Sequence, residues 1–159
     1  MKRFKELLLA IVVVGLFSCE KQTFYSPYAQ LEADIAILDK YLEENNIVAE
    51  RSNSGLRYVI HDPGLGSTPQ NGNIVKVHYV GTLLDGTQFD SSYDRGEAFQ
   101  YTHGVGQVIR GWDEGLRYIA ETGKITLYIP SVLAYGARGS GDIGPNENLV
   151  FEVELLSVQ

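Results

Sequence analysis

The chain has 159 residues but only one cysteine, one tryptophan and three histidines. A single cysteine excludes an internal disulfide and carries no redox information by itself. His61, His78 and His103 are far apart and not at the spacing of a metal site, so no metal and no cofactor are expected. Basic charge is scarce: 13 Lys and Arg against 20 Asp and Glu leave a net −7. Residues 1–18 contribute +2, so the remainder carries −9. Such an acidic surface repels a phosphate backbone, which argues against nucleic acid as a partner. No apolar run is long enough to span a bilayer: Leu7 to Phe17 is about eleven residues, where roughly 20 are needed. No nucleophile elbow or Cys/His pairing is visible, and no internal repeat or low-complexity tract. Gly139 to Gly144 spell G-x-G-x-x-G, but Pro145-Asn146 follow where a dinucleotide motif needs a helix. That stretch reads as a Gly-rich loop.

The length suits one domain with extras, and 44% apolar with 21% charged residues is ordinary globular composition. High glycine (17) and tyrosine (10) counts favour a β-rich fold with many turns. At the N-terminus Lys2, Arg3 and Lys5 precede the short apolar run, the pattern of a signal segment. The run ends in Leu16-Phe17-Ser18-Cys19, which resembles a bacterial lipobox. That resemblance implies removal of residues 1–18 and lipid attachment at Cys19, holding the protein on a membrane of the cell envelope. The plainer alternative is an uncleaved anchor, or a secreted protein with an incidental cysteine.

Residues 19–53 are expected to form a tether containing one amphipathic helix over about 29–45. Leu31, Ile35, Leu38 and Leu42 share a stripe, and Asn45-Asn46 is a plausible stop. The acidic residues between them, Asp34 and Asp39 included, read most simply as a solvated face. The stripe suits packing on the main domain or lying near a membrane; a dimerising helix is the weaker alternative, since about three turns are short for a coiled coil.

Beyond a polar break at Arg51–Gly55, strands are expected over 56–61, 74–83, 99–102, 124–129 and 149–158. Leu84-Asp85-Gly86-Thr87 is a hairpin signal, and Phe89 to Ser92 continue the sheet or bulge from it. In 74–83 Val75, Val77 and Tyr79 alternate with Lys76, His78 and Val80; in the last strand Phe151, Val153 and Leu155 alternate with Glu152 and Glu154. The turn over 109–119 is the one helix expected inside the domain, with Ile109, Trp112, Leu116 and Ile119 on one face. Periodicity alone therefore points to an α+β fold: an antiparallel sheet with one buried face, covered by a short helix.

Ordered motifs sharpen this. Val77-His78-Tyr79-Val80-Gly81, Leu84 to Ser92, Gln107-Val108-Ile109-Arg110-Gly111-Trp112-Asp113-Glu114-Gly115, Ala134-Tyr135-Gly136 and Asn148 to Leu156 follow one another. In these, residues 54–159 resemble the FKBP-type peptidyl-prolyl cis-trans isomerases. The resemblance implies a half-barrel, a curved antiparallel sheet of about five strands wrapped around one short helix. It implies that Trp112 floors a pocket walled by Tyr79, Phe89, Val108, Ile109 and Phe151. Phe99, and Tyr101 where the family often has Phe, would join the rim near Asp90, with Arg95 as the matching arginine beside it. Tyr135 would donate to a substrate carbonyl, and Ile143 would supply an apolar contact from the loop after it. Asp90, Tyr135, Phe89 and Tyr79 are thus the expected catalytic set, and Trp112, Val108, Ile109, Phe99, Tyr101, Phe151, Ile143 and Arg95 the expected substrate-binding set. Asp90 has an alternative, structural reading: holding Arg95 or Tyr79 in place. The implied ligands are proline-containing unfolded or exported polypeptides, and macrolides that bind such pockets. Two functions stand open: an isomerase assisting the folding of exported proteins, or a non-catalytic chaperone or partner-binding module of the same fold.

Overall fold

A computed structural model describes residues 26–159; the expectations for residues 1–18 and for Cys19 lie outside it. The first element is a helix, α1, over Pro27–Glu44. It begins two residues before the expected start because Ser26 caps it and Pro27 occupies the first turn, where a missing N–H costs nothing. It ends at Asn45, whose side chain donates to the carbonyl of Tyr41 at 2.8 Å.

The stripe of α1 packs on the main domain. Leu38 and Leu42 are buried against Tyr128 and Val150. Leu31 and Ile35 lie over Gly55, where a Cβ would come within 2.8 Å of Leu31 Cδ1. Gly55 also has φ +98°, so both space and backbone favour glycine there. The expectation that the acidic residues of α1 are solvated fails at two positions. Asp34 is wholly buried, and Asp39 is ion-paired at 2.8 Å with the buried Arg57. Helical periodicity shows which face is apolar but not which polar residue on its border finds buried donors.

The sheet has seven strands rather than about five. They are β1 Glu50–Arg51, β2 Arg57–Asp62, β3 Ile74–Leu83, β4 Gln88–Ser91, β5 Phe99–Thr102, β6 Lys124–Ile129 and β7 Leu149–Val158. The order is β1-β2-β6-β7-β3-β4, with β5 also paired to β3. Every pairing is antiparallel. The one strand outside the ranges expected from the sequence, β1, lies partly in the polar break: its two residues are both exposed, so no apolar alternation marks it. Alternation in β3 places Val75, Val77 and Tyr79 on the inner face, and in β7 Phe151, Val153 and Leu155.

The helix that the sheet wraps is α2, Arg110–Gly115, extended by a 3-10 turn over Leu116–Tyr118. It is shorter than the expected 109–119, and two further 3-10 turns occur at Ser131–Leu133 and Gly136–Arg138. Ile119 is nevertheless buried, from an extended backbone just past the turn. Two glycines let α2 lie against the strands. A Cβ on Gly111 would meet Ile129 at 2.5 Å, and one on Gly115 would meet Leu127 at 2.5 Å. The main core fills the space between α2 and the inner sheet face; α1 covers part of the outer face.

Candidate active site

The N-terminus of α2 and the inner face of the sheet enclose an open cavity of about 420 Å³. That is within the usual range for a small-ligand site, and its mouth is not closed by the protein's own side chains. Trp112 lies at the bottom, 3% exposed. Four aromatic rings pack around its indole edge-on: Tyr79 at 5.0 Å, Phe151 at 5.2 Å, Tyr101 at 6.0 Å and Phe99 at 6.1 Å between centroids. Edge-to-face contacts between such rings stabilise beyond the area they bury, so the floor is rigid. The indole N–H has no hydrogen-bond partner among the described residues.

The walls come from separate elements. From β3, Tyr79 faces inward; from β4, Phe89 and Asp90; from β5, Phe99; from β7, Phe151. Val108 and Ile109 enter from the segment leading into α2, and Tyr135 and Ile143 from the stretch between β6 and β7. Gly81 makes room for two of these walls: a Cβ there would lie 2.6 Å from the Phe89 ring and 2.8 Å from that of Phe151. Those two rings meet edge-on at 5.5 Å. Ile143 is held inward by a paired bridge to Ser140, 2.9 Å in each direction. Gly139, at φ +65° and with a Cβ position 2.3 Å from the Ile143 carbonyl, is required for that tight return.

The polar side of the cavity is one connected unit. The Tyr79 hydroxyl donates to Asp90 Oδ2, and Arg95 Nη1 donates to Asp90 Oδ1. Arg95 Nη2 also donates to the Tyr79 oxygen at 2.8 Å, with the guanidinium 5.4 Å from the ring centroid. Partial burial would raise the Asp90 carboxyl, but the bonds from Tyr79 and Arg95 and the charge of Arg95 outweigh it and hold Asp90 below the usual carboxylate range. Burial, with Asp90 as acceptor, pushes the Tyr79 phenol up to about 12, against the opposing pull of Arg95. Burial and the charge of Asp90 likewise raise the Tyr135 phenol. At neutral pH the site therefore presents a carboxylate locked by two donors and a neutral, half-exposed Tyr135 hydroxyl.

Two nominated residues stand elsewhere. Tyr101 does not reach the rim; it is 4% exposed, stacked behind Phe99 at 5.7 Å, with its hydroxyl against His103 Nδ1 at 3.2 Å. It shares the inward face of β5 with Phe99 but sits two residues further along, opposite Val75, and so packs in the core behind that ring. Arg95 does not line the cavity either; its side chain is spent on Asp90 and Tyr79. Gln107, Ser140, Gly141 and Asp142 line the cavity without having been nominated. Gln107 sits inside the quoted motif and could have been found there. The other three depend on the path of a loop that no periodicity describes.

Comparison with known proteins agrees with this arrangement. The family model described as FKBP-type peptidyl-prolyl cis-trans isomerase matches residues 66–156. The FKBP-type peptidyl-prolyl cis-trans isomerase FkpA of Aeromonas hydrophila is 49% identical over 106 residues, 67% of this chain and 39% of that protein. The chain thus spans about four-tenths of that relative's length. The peptidyl-prolyl cis-trans isomerase Fkbp12 of Drosophila melanogaster is 51% identical over 107 residues, 66% of this chain and 99% of that protein. Among solved structures, the crystal structure of FkpA from Escherichia coli superposes with a TM-score of 0.71 at 42% identity, covering 83% of this chain and 64% of the other.

Proposed function

The chain belongs to the FKBP-type peptidyl-prolyl cis-trans isomerase family, and we propose that its cavity speeds rotation about X–Pro bonds in proline-containing polypeptides. The observation that carries this is an open, ring-walled cavity over Trp112 with one neutral hydroxyl, Tyr135, on its wall.

The barrier to X–Pro rotation is about 18–20 kcal/mol, and uncatalysed exchange takes tens of seconds or longer. Amide resonance sustains it by placing charge on the carbonyl oxygen and the nitrogen, and water favours that polar planar form. Among aromatic walls the planar form loses this advantage, and a pocket shaped for the twisted bond binds the transition state better than the substrate. A thousandfold acceleration needs only about 4 kcal/mol of such preference. The proline ring rests on Trp112, Phe89 and Phe151 close the sides, and the Tyr135 hydroxyl donates to a substrate carbonyl. Both Asp90 oxygens accept hydrogen bonds, from Tyr79 and Arg95, which favours the positioning reading of its carboxylate over electrostatic action on the substrate carbonyl. No covalent step is required.

In a protease-coupled proline-peptide assay, Phe89→Ala and Tyr135→Phe should each lower kcat/KM, Phe89→Ala by roughly tenfold or more. Full rate in both would remove this site from the reaction. The additional amphipathic helix expected at 29–45 is the feature that leaves a binding-only module open. The stripe of that helix, at Leu38 and Leu42, is buried against the sheet, and this favours the enzyme reading.

The finer reading concerns place. The charged start, short apolar run and Leu16-Phe17-Ser18-Cys19 support lipid attachment at Cys19. A membrane-tethered isomerase would meet exported chains as they emerge in the cell envelope. Metabolic labelling with a palmitate analogue should mark the wild type and not Cys19→Ala; equal labelling of both would end this proposal.

A further inference from the structure

The family match begins at residue 66, yet one buried side chain of α1 reaches the segment that carries Tyr135. Asp34 has no solvent exposure. Its Oδ2 accepts from Ser131 Oγ at 2.7 Å and from the Val132 amide at 3.3 Å, and its Oδ1 accepts from Gln30 Nε2 at 2.7 Å. Asn148 closes the network. It donates to the Asp34 carbonyl at 3.3 Å and accepts from the Ser131 amide at 3.0 Å. Ser131 and Asn148 are themselves buried.

The held residues are the 3-10 turn Ser131–Leu133. The Ala134 amide closes it on the Ser131 carbonyl at 2.9 Å, and Tyr135 follows directly. On the other side, Arg110 Nη2 donates to the Val132 carbonyl, and Arg110 adjoins the cavity residue Ile109. Val132 is therefore gripped by its amide from α1 and by its carbonyl from α2. Burying a carboxylate is costly, and an apolar residue would dock a helix with less penalty; an acceptor with two lone-pair-rich oxygens is what a turn with free N–H and O–H donors needs.

We infer that Asp34 is a positioning residue for the cavity: it holds Ser131 and Val132 and thereby sets where the Tyr135 hydroxyl stands. This rests on the isomerase reading above. It makes α1 a working part of the site rather than an appendage.

The test uses the full chain and the proline-peptide assay, with kcat and KM read separately. Asp34→Ala should lower kcat/KM by about tenfold, as misplacement of a substrate-contacting group does. Asp34→Asn, which keeps an acceptor for Ser131 Oγ, should recover most of it. The loss should vanish in a Tyr135→Phe background, because one group acts through the other. Asp39→Asn, which loosens α1 at its pair with Arg57, should lower the melting temperature and leave kcat/KM unchanged. An active wild type whose Asp34→Ala variant is folded and within about twofold of it would overturn the inference. So would a loss that persists in full without the Tyr135 hydroxyl. Should Asp34→Ala fail to fold, Ser131→Ala carries the same cycle, and a null result there is equally decisive. An inactive wild type would instead refute the isomerase reading. Asp34 is then judged by the affinity for the same peptide, read from the fluorescence of Trp112, the one tryptophan in the chain; unchanged affinity in Asp34→Ala refutes the positioning role.

Discussion

His103 is wholly buried one shell behind Trp112, between Tyr101, Asp113 and Arg117. Arg117 Nε donates to its Nε2 at 3.3 Å, which assigns the ring proton to Nδ1, facing Tyr101 and Asp113. Burial holds the imidazole below its ordinary 6.5; Asp113 opposes this and Arg117 adds to it. A base whose folded value is depressed contributes stability above its unfolded value and loses it as pH falls through the folded one. The melting temperature should therefore fall as the medium is acidified below 6.5. In calorimetric scans His103→Leu should flatten that part of the profile, and an unchanged slope would show that His103 is not its source. The same shell explains why Tyr101 was misplaced. An aromatic residue in the right motif can belong to the cavity or to the layer that braces it: Phe99 and Tyr101 share the inward face of β5, and only their position along the strand separates the two.

At the scale of elements, α2 shows packing overruling propensity. Alanine is the better helix former than glycine by about 1 kcal/mol, yet Gly111 and Gly115 face Ile129 and Leu127 at distances no Cβ tolerates. Gly115→Ala should thus destabilise by about 1–3 kcal/mol, the usual range for overpacking, measured as a shift in denaturation midpoint; a gain in stability would mean that Leu127 can move aside. β3 and β7 were legible because their periodicity is a consequence of one wet and one dry face; β6 is buried on both faces and was legible as a short apolar run stopped by Pro130. β3, β5, β6 and β7 occupy the expected ranges. β1 was not legible because two exposed residues carry no alternation. The 3-10 turns at Ser131–Leu133 and Gly136–Arg138 were missed for a related reason. Single turns are shorter than the period that would reveal them.

For the whole molecule, α1 and the sheet form one packed body over the described residues, with a second cluster joining Leu38 and Leu42 to Tyr128 and Val150. Removing residues 1–45 would bare that outer face. Burial of two leucines corresponds to about 3–6 kcal/mol, so the truncated chain should melt well below the full one in thermal unfolding; equal melting temperatures would show that α1 adds nothing to the fold. The sheet could be read from residues alone, because alternation and turn chemistry are local properties; the cavity walls and their order come from the family resemblance that the ordered motifs carry. The burial of Asp34 and the retreat of Tyr101 and Arg95 from the cavity could be read from neither. For Tyr101 and Arg95, whose partners His103 and Asp90 are only two and five residues away, the outcome depends on where the folded sheet sets the cavity; for Asp34 it depends on Ser131 and Val132 arriving from a distant stretch. Such meetings exist only once the chain has closed on itself, since hydrogen-bond partners nearly a hundred residues apart leave no trace in spacing.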